Sequence, residues 1–220
     1  MTTPTRCPRS RTAIMTVSGR YWDAMDPRPE WVHLPDVAKG LECPRFNNQT
    51  TVPVTIASHL LRCARMAVVA ESRVGAFTDA DSEDFADMVL ALLLHDAAEG
   101  YLGDRLGPLK TKADGILEAG TLAAIVRHLI SDDARAQRIT AIALADRVVK
   151  SIDTMAAACE ALRWMPGAAD WCVRVPMFDG CTDPRTNEDW LTTVTMIAGH
   201  VNEGTASSPE LANLIKDHLR

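Results

Sequence analysis

Apolar residues recur along most of this chain at intervals of three and four, and those intervals define a series of helices. In residues 53–74, Ile56, Leu60, Ala64, Ala67 and Val68 follow an i, i+4 rhythm, with His59 beside the stripe. Residues 78–84 supply caps and first-turn acids for a second helix, expected to run unbroken through the apolar stretch 88–94 to about residue 102. Gly103 and Asp104 end it, and residues 105–110 read as a loop folding back over that end. Residues 113–130 give an amphipathic helix weakened by Gly115 and Gly120, with His128 at the surface.

A further helix starts at residues 131–133. Its 139–149 part is apolar on most faces, which predicts a central position, and it continues or bends through 151–165. Proline and glycine make 166–186 an irregular excursion, and 187–200 and 208–219 read as closing helices, the second capped by Ser208 with Pro209 as its first residue. Before all these, residues 1–17 read as a loose tail. A turn-rich stretch follows with Trp22 and Trp31 packed against the body, then a short helix from Pro35 to about Glu42 and a polar loop over 45–51. No strand pattern exceeds about four residues. The expected fold is all-α, a single domain over 1–220 with six or seven helices.

Composition narrows the function classes. With 47% apolar and 24% charged residues, the chain has the balance of a globular domain. A net charge of −6 and few Tyr and Phe disfavour a nucleic-acid surface, while small phosphorylated substrates remain compatible through a local cationic pocket or a metal. No run approaches the ~18 apolar residues of a membrane span, and the N-terminus has no apolar leader segment. The six cysteines show no CxxC pair and read as reduced core or surface thiols of a cytoplasmic protein rather than a thiolate metal site. Trp164, Trp171, Phe178 and Trp190 supply more aromatic surface than an excursion buries, from which a homo-oligomer, a dimer or larger, is expected.

The chemistry concentrates at the end of the second helix, in Leu94-His95-Asp96-Ala-Ala-Glu99. On a helix, His95, Asp96 and Glu99 project within one sector, and ionised acids at the edge of a core require a partner or a cation. His59 on the preceding helix and Asp146, the one acid in its apolar run, complete a candidate set of two imidazoles and two carboxylates. Asp146 alone reads equally as half of a structural salt bridge. Such a set suits Mn²⁺, Co²⁺, Zn²⁺, Fe²⁺ or Mg²⁺.

Together, His59, His95-Asp96 and Asp146 resemble the H…HD…D signature of the HD-domain metal-dependent phosphohydrolases. His95-Asp-Ala-Ala-Glu99, Gly103-Asp104 and Pro108-Leu109-Lys110 look like the HDxxE…GD…P-x-K stretch of the bacterial 5′-deoxynucleotidases and compact phage-type relatives, and Arg45-Phe46 lies where that group has an Arg followed by an aromatic. Leu106 stands in place of a proline usual in the group, and Ser58 in place of the Glu or Gln before the histidine. The resemblance covers about residues 19–152. It implies an HD-domain helical bundle, metal ligation by His59, His95, Asp96 and Asp146, and Glu99 as catalytic acid/base with Asp96 at the metal. It also implies phosphate contacts from Arg45 and Lys110, base or sugar packing by Phe46, and a sugar-facing Asp104. The implied activity is cleavage of the 5′ α-phosphate ester of deoxynucleotides, as a monophosphate nucleotidase or a triphosphohydrolase. A signalling-nucleotide hydrolase acting on (p)ppGpp or a cyclic nucleotide, and a catalytically idle HD binding module, are the alternatives.

Overall fold

The computed structural model describes residues 13–74, 82–105, 109–167, 187–205, 213–215 and 217–218. A two-stranded antiparallel hairpin, β1 (Ala13–Met15) and β2 (Tyr21–Asp23), precedes α1 (Leu34–Gly40), α2 (Ile56–Val74), α3 (Ser82–Leu94), α4 (Glu99–Leu102), α5 (Lys112–Leu129), α6 (Asp133–Ala145), α7 (Arg147–Trp164) and α8 (Asn187–Asn202). The fold is an all-α bundle. Residues 213–215 and 217–218 are helical, inside the expected closing helix, whose start at Ser208 and Pro209 lies outside the described residues. Among the described residues no helix is long and apolar enough to cross a membrane.

Helix α3 is the axis. Its Val89–Leu94 side chains are all fully buried, and α2, α6, α7 and α8 pack around it. Burying a Leu or Val side chain contributes about 1.5–3 kcal/mol, so this end of α3 is among the most firmly fixed parts of the molecule. Polar pins set the register of its neighbours: Asp87, fully buried, accepts from Arg135 Nε of α6 at 2.8 Å, and Trp190 of α8 donates to the Leu93 carbonyl at 2.8 Å.

Several expectations need correction. The tail assigned to residues 1–17 is ordered in its last part, where β1 pairs with β2 and Asp36 accepts from the Thr16 and Ser18 hydroxyls at 2.7 and 2.6 Å. The helix expected through residue 102 stops at Leu94. His95 Nδ1 takes the Leu92 carbonyl at 2.9 Å, an acceptor an α-helix would give to the Asp96 amide, and the chain tightens into i→i+3 bonds before α4.

The helix expected over 131–149 breaks at Asp146, whose extended backbone (φ −69°, ψ 136°) makes it the cap of α7. The 139–149 run is not central either: Ala141, Leu144, Ala145 and Val148 face outward. These two breaks raise the helix count among the described residues to eight. Of the four aromatics from which assembly is expected, two are described. Trp190 is fully buried and Trp164 lies under Arg62 and Arg163, while Trp171 and Phe178 are outside the described residues.

Helix α4 is seated against α1 with unusual closeness. A Cβ on Gly40 would stand 1.7 Å from the Gly100 carbonyl oxygen, and one on Gly100 would meet the Val37 carbonyl at 2.6 Å, so only glycine at both positions allows the crossing. Tyr101 then stacks on buried Trp22, centroids 4.4 Å apart, and its hydroxyl accepts from the His33 amide at 2.9 Å. Glu99, next to Gly100, is held in place by this packing.

Candidate metal centre and adjoining cavity

Thr55 caps α2, its Oγ1 accepting from the Ser58 amide at 3.2 Å, and this places His59 in the first turn, fully buried and facing the C-terminal end of α3. There His59, His95, Asp96 and Asp153 each present a ligand atom, all within 4.8 Å of one another. His59 Nε2 is 3.0 Å from Asp153 Oδ1, and His95 Nε2 is 3.5 Å from Asp96 Oδ2 and 3.8 Å from Asp153 Oδ1. Donors bound to one ion at about 2.0–2.3 Å stand roughly 3–4 Å apart, so these separations suit a common centre.

The histidine tautomers point the same way. His59 Nδ1 lies 3.0 Å from Glu160 Oε1 and His95 Nδ1 2.9 Å from the Leu92 carbonyl, so each Nδ1–H donates outward and each Nε2 faces the centre. His95 Nε2 is buried without a hydrogen-bond partner. Burial and Arg45 work against a charge on His59, yet Glu160 and Asp153 hold its pKa well above the ordinary value; burial likewise works against a charge on His95, but Asp96 and Asp153 raise it to about 9. The two aspartates resist burial in turn and are held below the usual carboxylate range, Asp96 by His95 and Arg45, Asp153 by both imidazoles. The surroundings thus favour two positive charges at this point, which two protons or one divalent cation supply. The donor set fits a divalent ion.

Asp146 is not part of this group. It is in neither ligand group, and its Oδ1 accepts from the Val148 and Val149 amides at 2.6 and 3.4 Å, capping α7 with one carboxylate oxygen. Asp153, two turns further along α7, takes the position assigned to it. Asp146 was singled out because its flanking sequence is apolar, but that run is only half buried, and an aspartate before Arg-Val-Val is as natural a helix start as a ligand.

A cavity of about 290 Å³ opens directly from the centre, lined by Arg45, Phe46, Asp96, Glu99, Asp104, Arg105, Lys110 and Asp153. Every residue expected to touch substrate lies on its wall. Arg45 is fixed by a bridge between Pro44 and Thr55 and by its amide donating to Val54 O at 2.7 Å. Its guanidinium donates to Asp96 at 3.1 Å and lies 5.8 Å over the Phe46 ring. Phe46, Asn47 and Asn48 all have positive φ (56°, 51° and 58°). Asn tolerates this region, but for Phe it is strained by about 1–3 kcal/mol, and the strained residue stands at the cavity.

Glu99 is 4% exposed and 2.9 Å from Lys110, which also meets Glu118 at 3.1 Å. Burial and the Asp96 charge raise the Glu99 pKa, Lys110 holds it back, and the balance falls at about 7. Lys110 is raised by the two glutamates in spite of its burial. Arg105 donates to Asp114 at 2.6 Å.

The sequence reading missed Glu160. It is fully buried, contacts His59 and Arg62, and lies 3.6 Å from Arg45; burial opposes its charge, but His59, Arg45 and Arg62 together lower its pKa. Its signal was present: Asp153 and Glu160 are seven residues apart, on one face of α7, flanking the small residues Ala156–Cys159.

No family model matches this sequence. Over 97 residues the chain is 35% identical to an uncharacterized protein of Rhodobacter capsulatus. The match covers 43% of this chain and 44% of that protein, so the aligned part spans less than half of the relative's length.

Proposed function

We propose that this chain is a metal-dependent phosphohydrolase of the HD type acting on small phosphorylated nucleosides, with the 5′ α-phosphate ester of a deoxynucleotide as the bond broken. The observation that carries this reading is that Asp96 and Asp153 belong both to the four-residue ligand group and to the wall of a cavity that also holds a near-neutral-pKa glutamate and three cationic side chains. The cavity volume is at the lower end of small-ligand clefts, about 300 Å³ and upward.

His59, His95, Asp96 and Asp153 would hold the ion, which when bound supplies Lewis acidity, lowering the pKa of a water and offsetting charge on phosphoryl oxygens. Arg45 and Lys110 receive the phosphate oxygens, and Arg105, at the mouth, is available to a longer polyphosphate. Glu99, its pKa raised to about 7 by burial and the Asp96 charge, gives its proton to the leaving 5′ oxygen. An incoming phosphate that draws Lys110 away from Glu99 removes the cation holding the Glu99 pKa down, which makes Glu99 a readier acid once substrate is seated. Phe46 offers a face to base or sugar, and Asp104 an acceptor to a sugar hydroxyl.

Ion chromatography of products from dAMP, dATP, AMP and ATP, each with Mn²⁺, Co²⁺, Zn²⁺ and Mg²⁺, tests the reading. Phosphate from dAMP alone makes the enzyme a nucleotidase, and triphosphate from dATP a triphosphohydrolase. Inertness toward all four with turnover of (p)ppGpp or a cyclic nucleotide overturns the substrate assignment. Inertness toward every phosphate ester overturns the enzyme reading.

A further inference from the structure

Cys63 follows His59 by four residues on α2, so the two side chains project from one face toward the same point. Its Sγ lies 3.5 Å from His59 Nε2, and Cys63, His59 and His95 form a second group whose ligand atoms are all within 4.8 Å of one another. Cys63 and His59 are fully buried, the His95 side chain is 6% exposed, and His95 Nε2, aimed into the group, has no hydrogen-bond partner. A nitrogen at about 2.0–2.1 Å and a sulfur at about 2.3 Å from one ion, at a near-tetrahedral angle, stand roughly 3.5 Å apart. The His59–Cys63 spacing is the one a shared ion requires, and Cys63 groups with the two imidazoles but not with Asp96 or Asp153.

We propose that Cys63, as the thiolate, joins His59 and His95 in holding an ion that sits toward this second group, sharing both imidazoles with the four-residue centre, and that its sulfur biases the centre toward thiophilic divalent metals such as Zn²⁺ and Co²⁺ over Mg²⁺. This rests on the metal centre proposed above. With Glu160 accepting from His59 Nδ1–H, the Nε2 atom, whose lone pair an ion would take, faces Asp153 Oδ1 at 3.0 Å and Cys63 Sγ at 3.5 Å. An ion that takes the lone pair leaves the thiol facing a cation at bonding range. The thiol proton then passes to solvent and the sulfur takes up the vacant valence of the ion. Sulfur is a soft donor, and the hard ion Mg²⁺ gains least from it. A thiol grouped in the core with two inward-facing imidazole nitrogens differs in kind from Cys159, which is buried outside either ligand group.

The test loads the full-length, metal-free protein with Co²⁺ and reads its absorption spectrum beside elemental analysis. The expected result is a near-ultraviolet thiolate-to-cobalt charge-transfer band that is retained in Cys159→Ser and lost in Cys63→Ser while that variant still holds cobalt through the remaining ligands. If Cys63→Ser does not fold, the spectrum of the intact protein still decides: cobalt bound without the band overturns the Cys63 assignment and leaves the four-residue centre standing. A band that survives in Cys63→Ser overturns it equally. Failure of the intact protein to bind cobalt, zinc or manganese overturns the centre itself, and Cys63 with it.

Discussion

On the α2–α7 side of the cavity, His59 and Glu160 are fully buried and Arg62 is 5% exposed, and each is tied to another in a network that leaves little freedom. On the α4–α5 side, Lys110 is 28% and Arg105 58% exposed, and each is paired with a carboxylate of the same rim. The first wall sets the charge and orientation of the ion's ligands before anything binds. On the proposed reading, partners on the second exchange when an anion arrives. Dry, mutually satisfied groups resist rearrangement because an unpaired buried charge costs several kcal/mol, whereas exposed pairs contribute about 0–1 kcal/mol and are easily traded. The contrast assigns metal affinity and stability to the inner wall, and substrate choice and proton transfer to the rim.

The sharpest way to break that contrast is at Glu160. Glu160→Ala leaves Arg62 buried without its carboxylate and frees His59 Nδ1, so a destabilisation of about 3–5 kcal/mol is expected in denaturant unfolding. Metal affinity should also fall by about 10- to 100-fold. The corresponding change on the rim, Glu99→Gln, should leave metal content and the unfolding midpoint nearly unchanged while turnover falls on the order of 10²-fold. Wild-type kcat/KM should decline as pH rises through about 7, where Glu99 of the free protein loses its proton, kcat should decline at a higher pH because bound substrate draws Lys110 away, and Glu99→Gln should lack both limbs. Loss of metal from Glu99→Gln would instead make Glu99 a ligand and blur the two walls.

A subtler contrast lies in pH. His95 in the metal-free protein is raised to about 9 from an ordinary 6.5, so protonation stabilises the fold fully below pH 6.5, and this contribution is lost as pH rises through 9. The melting temperature of the metal-free protein should therefore drop over that interval. Its gain on adding zinc should grow over the same range, because the ion no longer has to displace a proton. The smallest expected effect is at Asp146, outside both walls: Asp146→Ala removes the α7 cap and should cost ~1 kcal/mol without altering turnover.

How far the sequence reveals this site differs between its parts. His59, His95, Asp96 and Glu99 are legible because each interrupts or ends a strongly apolar run, and the cavity residues because they cluster in two short polar loops. Asp146 and Asp153 are the failure, and an instructive one. Both are acids on the same face spacing of one helix, but apolar neighbours in sequence do not equal burial. Leu144 and Val148 beside Asp146 are each 39% exposed, and the carboxylate serves its own helix. Asp153 carries no such signal, because its flanks are mixed. What buries it is tertiary: α2 brings His59 across to it. The Gly40–Gly100 crossing that seats Glu99 was equally invisible, since two glycines sixty residues apart acquire meaning only when their helices touch.

The claim on which the rest depends is the identity of the four ligands, and elemental analysis of Asp153→Ala beside Asp146→Ala, each purified, stripped and reloaded with the same divalent metal, addresses it directly. The expected result is metal retained at the wild-type level in Asp146→Ala and lost from Asp153→Ala, with circular dichroism showing both folded. Metal lost from Asp146→Ala and retained in Asp153→Ala would contradict the centre as described.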